Sequence, residues 1–184
     1  GMFNEATPAF AHLQNLIKTY GIDCDYQHTG RIQSAWTKAH FAAQRALAAD
    51  MNTNTDFPVE VVTKADLGSH LSTQHYFGGL FYKDHGAVQP RKLHDGLLKA
   101  ALKTGVQVMQ KCPIGGIEKV NGSHVAKWAG GEICADKVIL ATNGYTQGGG
   151  IFRWLSRRVF PVPSYLIATE PLPESLINEL APGH

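Results

Sequence analysis

The feature that most limits the fold of this chain is the change in hydrophobic period between residue 90 and residue 144. Pro90 suits a first helical turn, where a missing N–H costs nothing, and Leu93, Leu97, Leu98, Ala101 and Leu102 then recur at helical spacing as far as Gly105. Beyond that glycine the period shortens. Residues 106–109 and 114–120 read as strands, Asn121-Gly122 supplies the positive φ pair of a tight hairpin, and 124–128 reads as its return strand. Gly130-Gly131 makes a second turn before 132–134. Residues 137–141, Lys-Val-Ile-Leu-Ala, form an almost unbroken apolar run, the pattern of a strand covered on both faces in a parallel sheet. The order is helix, strand, antiparallel meander, buried strand, and only a mixed fold accommodates it.

The first half alternates in the same way. Phe10, Leu13, Leu16 and Ile17 predict a helix that stops at Tyr20-Gly21. Residues 23–35 read as a strand or bent hairpin, 36–51 as an Ala-rich helix, 59–62 as a short strand, and Thr63 or Lys64 begins a brief helical or turn segment around 65–67. Residues 76–82 read as a further strand, with Gly78-Gly79 marking a bulge or bend.

Composition excludes several classes of function. With 184 residues, 43% hydrophobic and 17% charged, the chain is long enough for a sizeable core. No apolar run reaches the roughly 20 residues of a membrane helix, and no secretory signal is present. Seventeen basic and fifteen acidic residues are mixed along the chain, so no basic stripe favours nucleic acid. Gly1 before Met2 resembles the scar of a cleaved tag. Cys24, Cys112 and Cys134 are odd in number and widely spaced, which suits reduced thiols and a cytoplasmic location better than a disulfide framework.

Site signals of the commoner kinds are weak. The nine histidines include no His-Glu-x-x-His or comparable set, so no metal is expected. Gly122-Ser123 continues with His124 rather than as a nucleophile elbow. Asp23 and Asp25 flank Cys24 and oppose the thiolate that cysteine catalysis needs. Without further information, Ala141-Thr142-Asn143-Gly144 is a strand leaving a sheet through an Asn-Gly turn.

An ordered set of motifs carries a resemblance. These are Gly21-Ile-Asp-Cys-Asp25 with Gly30 after it, Gly86-Ala-Val-Gln-Pro90, Lys111-Cys-Pro-Ile-Gly-Gly-Ile-Glu118, Ala135 to Tyr145, and Arg158 to Pro171. Together they resemble the interior of the D-amino-acid-oxidase-like superfamily of FAD-dependent oxidoreductases, in the branch that contains gamma-glutamylputrescine oxidase. The likeness spans nearly the whole chain. It implies an α/β (α+β mixed) fold: a partial FAD-domain parallel strand and β-meander, plus a mostly antiparallel substrate-binding sheet with helices. The implied boundaries are 2–86 for the first part of the substrate side, 87–147 for the flavin-domain segment and 148–184 for the second substrate part.

The resemblance also implies residue roles. Pro113 and Ile114, through main-chain groups, and Ala141, Thr142, Asn143 and Gly144 would lie beside the FAD. Tyr26, His28, Tyr76, Arg158 and Tyr165 would be candidates to face the substrate, a small amine or amino acid, although strand alternation turns only about half of such positions inward. No catalytic residue is assigned, because a flavin carries the redox chemistry and the protein chiefly binds and orients. The Gly-x-Gly-x-x-Gly phosphate turn of such proteins is not in this sequence, since Gly148-Gly149-Gly150 has Arg153 where the third glycine would fall. The chain is therefore expected to be an internal piece whose partners are the N- and C-terminal parts of its parent, inactive alone and weak in FAD binding. A stand-alone, non-catalytic binding or interaction module of the same topology is the alternative.

Overall fold

The computed structural model of the chain describes residues 2–146, Leu155 and residues 158–182. Backbone contacts divide the chain into two units, the first Gly1–Val106 with Thr169–His184, the second Gln107–Ala168.

Unit 1 opens with helix α1, Met2–Tyr20. Gly21 ends it at φ +58°, donating to the Lys18 carbonyl, while Ile22 donates to Ile17, so two terminal carbonyls are satisfied. Strand β1 is Arg31–Ser34. It is shorter than the strand or bent hairpin expected over 23–35; upstream of it Gln27 forms an isolated antiparallel bridge with Ala87. Helix α2, Lys38–Asn54, begins at Thr37, whose side chain accepts from the His40 amide. Strand β2 is Glu60–Thr63, a single 3-10 turn covers Leu67–Ser69, and β3 is Gly78–Tyr82. Helix α3, Pro90–Lys103, starts with its proline in the first turn, and Gly105 follows it at φ +90°. A last helix, α4, Glu174–Leu180, is tied to the 70–77 loop by Ser72, whose amide donates to the Leu180 carbonyl at 2.9 Å and whose hydroxyl donates to the Glu179 carbonyl.

The sheet of unit 1 is antiparallel in the order β1-β3-β2. Its register puts Leu80 between Gln33 and Val61, and Gly79 between Ser34 and Val62. Alternation then sends Leu80 and Tyr82 to one face, where they join Ala48 and Met51 of α2, Val59 and the partly buried Phe57 in the core. Helix α2 lies over this face, with Ala48 and Met51 in the core and Phe41 against Gly78. The pairing across Gly78 and Gly79 is regular, so no bulge forms there. Those glycines are required by crowding instead: a Cβ on Gly79 would lie 2.7 Å from the Gln33 carbonyl oxygen, and one on Gly78 would meet the Phe41 ring at 2.6 Å. A run of glycines in a strand signals either cause, and sequence alone does not separate them.

Unit 2 contains the meander β4 Gly116–Val120, β5 Ser123–Trp128 and β6 Gly131–Ala135, paired in that order. Asn121 at φ +50° and Gly122 at φ +91° form the expected hairpin turn. Two expectations fail here. Residues 106–109 and 137–141 form no strand, and Val108, Met109 and Ile139 are exposed, the last at 89%. A strand needs a neighbour to satisfy its N–H and C=O groups, and the described residues supply none to either segment. Val125 is the one residue classed as buried among the described residues of this unit. The mixed class and the antiparallel sheets with helices nevertheless agree with the sequence.

Candidate functional site

Unit 1 holds three of the five substrate-facing candidates, and each has its own neighbours. Tyr26 is half-buried, and its phenol oxygen accepts a 2.6 Å hydrogen bond from Gln14 Nε2 of α1. His28, two residues on and past the Gln27–Ala87 bridge, is exposed. Tyr76 precedes β3 and meets Trp36 edge-on at 4.9 Å between centroids. Unit 2 holds the other two: Arg158, whose amide donates to the Leu155 carbonyl, and Tyr165, which is 91% exposed in an irregular stretch.

The six residues expected beside the cofactor all lie in unit 2. Pro113 and Ile114 are exposed and precede β4, outside its ladder; the next residue, Gly115, donates to the Lys127 carbonyl at 2.8 Å. Ala141 and Thr142 are exposed, and Asn143 and Gly144 open a 3-10 turn, Asn143–Thr146, with Asn143 in the left-handed region at φ +47°. No described cavity is lined by any of these six. The Thr142 carbonyl accepts from the Tyr145 amide at 3.1 Å, and among the described residues the six do not build a cradle that would enclose a dinucleotide.

A polar cluster that sequence reasoning did not single out sits at the start of β1. Arg31 lies with its guanidinium carbon 5.2 Å from the Tyr82 ring centroid and donates through Nη2 to Gln33 Oε1 at 3.1 Å. The Tyr82 hydroxyl donates to the same oxygen at 3.3 Å. His85 stands 5.1 Å from the Tyr82 ring and 5.4 Å from that of Phe57. Burial lowers its pKa from the ordinary 6.5, the Arg31 charge adds to that effect, and Asp84 acts the other way. The backbone there is held at both groups: the His85 carbonyl accepts from Gly30, and its amide donates to the Tyr82 carbonyl. The sequence signal was the strand-start Arg31 after Gly30, but its pairing with Tyr82 depends on a register that no local pattern states.

Two further polar features belong to unit 1. Gln44 of α2 is buried, and its Nε2 donates to the Gln33 carbonyl while its Oε1 has no partner among the described residues. Elsewhere in unit 1, a cleft of about 510 Å³ runs between α1 and α3, lined by Lys92, Asp95, Lys99, Lys103 and Asp23 among others; Lys92 is paired with Asp25 at 2.7 Å. Its mixture of both charges selects no ligand class. Cys24, Cys112 and Cys134 are free thiols, no group of three or more His, Cys, Asp or Glu is placed to hold a metal among the described residues, and no helix is long and apolar enough to cross a membrane.

Comparison with known proteins matches nearly the whole chain to one family. The profile of the family described as FAD dependent oxidoreductase (DAO) matches residues 2–184. The chain is 28% identical over 182 residues to a probable oxidoreductase, OrdL, of Haemophilus influenzae, covering 97% of this chain and 42% of that protein. It is 26% identical over 170 residues to gamma-glutamylputrescine oxidoreductase of Escherichia coli, covering 92% of this chain and 39% of that one. The chain thus spans about two fifths of the length of these curated relatives. In fold it is similar to glycine oxidase from Geobacillus kaustophilus, with a TM-score of 0.65 at 21% identity over 73% of this chain and 37% of that one.

Proposed function

The chain belongs to the FAD dependent oxidoreductase (DAO) family, and from that premise we propose that it is the interior of an enzyme that oxidises the C–N bond of an amine or amino acid. The product would be an imine and then a carbonyl compound, with the electrons passed to oxygen or another acceptor. The observation that carries the reading is the match of residues 2–184 to that family. The 26% identity to gamma-glutamylputrescine oxidoreductase supports the amine class, and the fold shared with glycine oxidase is compatible with it.

Within this proposal, residues 113–114 and 141–144 lie at the adenine side of the FAD, and Tyr26, His28, Tyr76, Arg158 and Tyr165 remain candidates for the substrate side. The proposed division keeps 2–86 and 148–184 on the substrate side and 87–147 on the flavin side. Because the first six residues form no enclosing cradle, no chemical step is assigned to any side chain of this chain. The free thiols favour a cytoplasmic setting.

The exposure of Phe160, Val162, Leu166 and Ile167 at 76–93%, together with Ile139, supports a longer parent whose other parts cover these segments. Flavin titration of the isolated chain, followed by fluorescence quenching, tests the piece; the expected result is weak or no binding, and tight binding would overturn it. Purified full-length enzyme should be yellow and release peroxide or reduce a dye with an amine. A colourless, inert full-length protein would reject the enzyme reading.

A further inference from the structure

We propose that Arg31 and His85, framed by Tyr82 and Phe57, form a subsite of unit 1 that binds a carboxylate. The cluster's own geometry supports this subsite whatever the flavin chemistry of the parent. Arginine offers five N–H donors in a planar fork, and here one goes to Gln33 Oε1 while the group lies over the Tyr82 ring. Arg31 is exposed, and these two contacts leave the other donors of the fork facing solvent. No carboxylate of the described residues is within ion-pair distance of Arg31, whereas Arg91, Lys92 and Lys127 each have one. A guanidinium with no carboxylate of the described residues in ion-pair reach is suited to a planar anion with two oxygens, which it can hold through parallel hydrogen bonds.

His85 and the aromatic rings make the remainder of the subsite. The charged groups acting on His85 are Arg31 and Asp84, and the first disfavours its protonation. A bound carboxylate would cancel that effect, so ligand binding and His85 protonation are coupled with positive sign. Phe57 and Tyr82, edge-on or tilted to the imidazole, flank it at the edge of the unit 1 core. A single guanidinium and one imidazole match a monoanion better than a phosphate dianion. Gly30 holds the arrangement in place: at φ +72° it brings Arg31 beside the 83–86 turn, and a Cβ there would lie 2.5 Å from the Phe81 ring.

The test is a pH titration of the histidine ring signals of the full chain by NMR, with His85 assigned from a His85→Asn variant. Sodium acetate is the probe, and sodium chloride at equal ionic strength is the control. Acetate should raise the His85 midpoint saturably and more than chloride does, without moving those of His28 or His75, and Arg31→Gln should remove the difference. If Arg31→Gln loses the folded circular-dichroism spectrum, Arg31→Lys takes its place; it keeps the charge but not the fork, and should weaken acetate by about tenfold. An equal effect of chloride, or unchanged acetate binding in the arginine variant, would overturn the proposal.

Discussion

Substituting alanine for Gly79 isolates one contact in the unit 1 sheet. Its Cβ would sit 2.7 Å from the Gln33 carbonyl oxygen and 3.2 Å from the Gln33 carbonyl carbon and the Ser34 Cα. These are backbone atoms of β1, so no rotamer change relieves the crowding, and β1 and β3 must separate. Forced overpacking costs roughly 1–3 kcal/mol. Alanine also restricts the unfolded chain, a gain of about 0.4–1 kcal/mol, so the net loss lies at about 0–2.6 kcal/mol. Gly68 provides the control, because a Cβ there meets nothing within 4 Å and its φ is not positive. Gly68→Ala carries the same unfolded-state gain without the clash, and the difference between the two variants is the contact cost itself, about 1–3 kcal/mol. Native-state hydrogen exchange at the Leu80 amide, with urea unfolding of the full chain, measures both. If the two variants differ by less than about 0.5 kcal/mol, near the scatter of neutral substitutions, the close approach is not what requires glycine at this position.

Other outcomes follow from named contacts. Leu80→Ala, at a fully buried core position, should destabilise unit 1 by about 2–5 kcal/mol in urea unfolding. Thr37→Ala, which removes the oxygen accepting from the His40 amide, should cost about 1 kcal/mol and fray the first turn of α2 in amide exchange. For His85 the folded pKa lies below the ordinary 6.5, so its neutral form is the one the fold favours. The stability it contributes is complete above 6.5 and declines as the pH falls through that value towards the lowered folded value. The wild-type fold should therefore weaken on acidification, and His85→Asn should flatten that part of the pH–stability curve.

Much of the local structure was legible because its signals are local. The α3 stripe, its Pro90 start and Gly105 end, and the Asn121-Gly122 turn depend on residues within a few positions of one another, and all three appear where expected. The runs at 106–109 and 137–141 have strand composition, but a strand exists only with a partner, and the described residues provide none to either. The same non-locality hid the cluster at Arg31. Its neighbours Tyr82 and His85 come from the far end of the β1–β3 pairing, so no window of sequence contains it. The substrate-facing candidates were chosen by residue type and segment, and the structure gives Tyr26, Tyr76 and Tyr165 three different surroundings, a hydrogen bond, a ring contact and open solvent.

The two sheets also differ in how far apart in the chain their strands lie, and that sets an order of events in folding. In unit 2 each strand pairs with the next across a tight turn, so β4-β5-β6 closes only short loops and should form on the microsecond scale of hairpins. In unit 1, β3 must reach back to β1, and the Tyr82–Gln33 hydrogen bond joins residues 49 apart. Each doubling of a loop adds about 0.6 kcal/mol of closure entropy, which must be met before the Leu80 core repays it. During synthesis β1 and α2 therefore leave the ribosome and wait, without a strand partner, until β3 has been made.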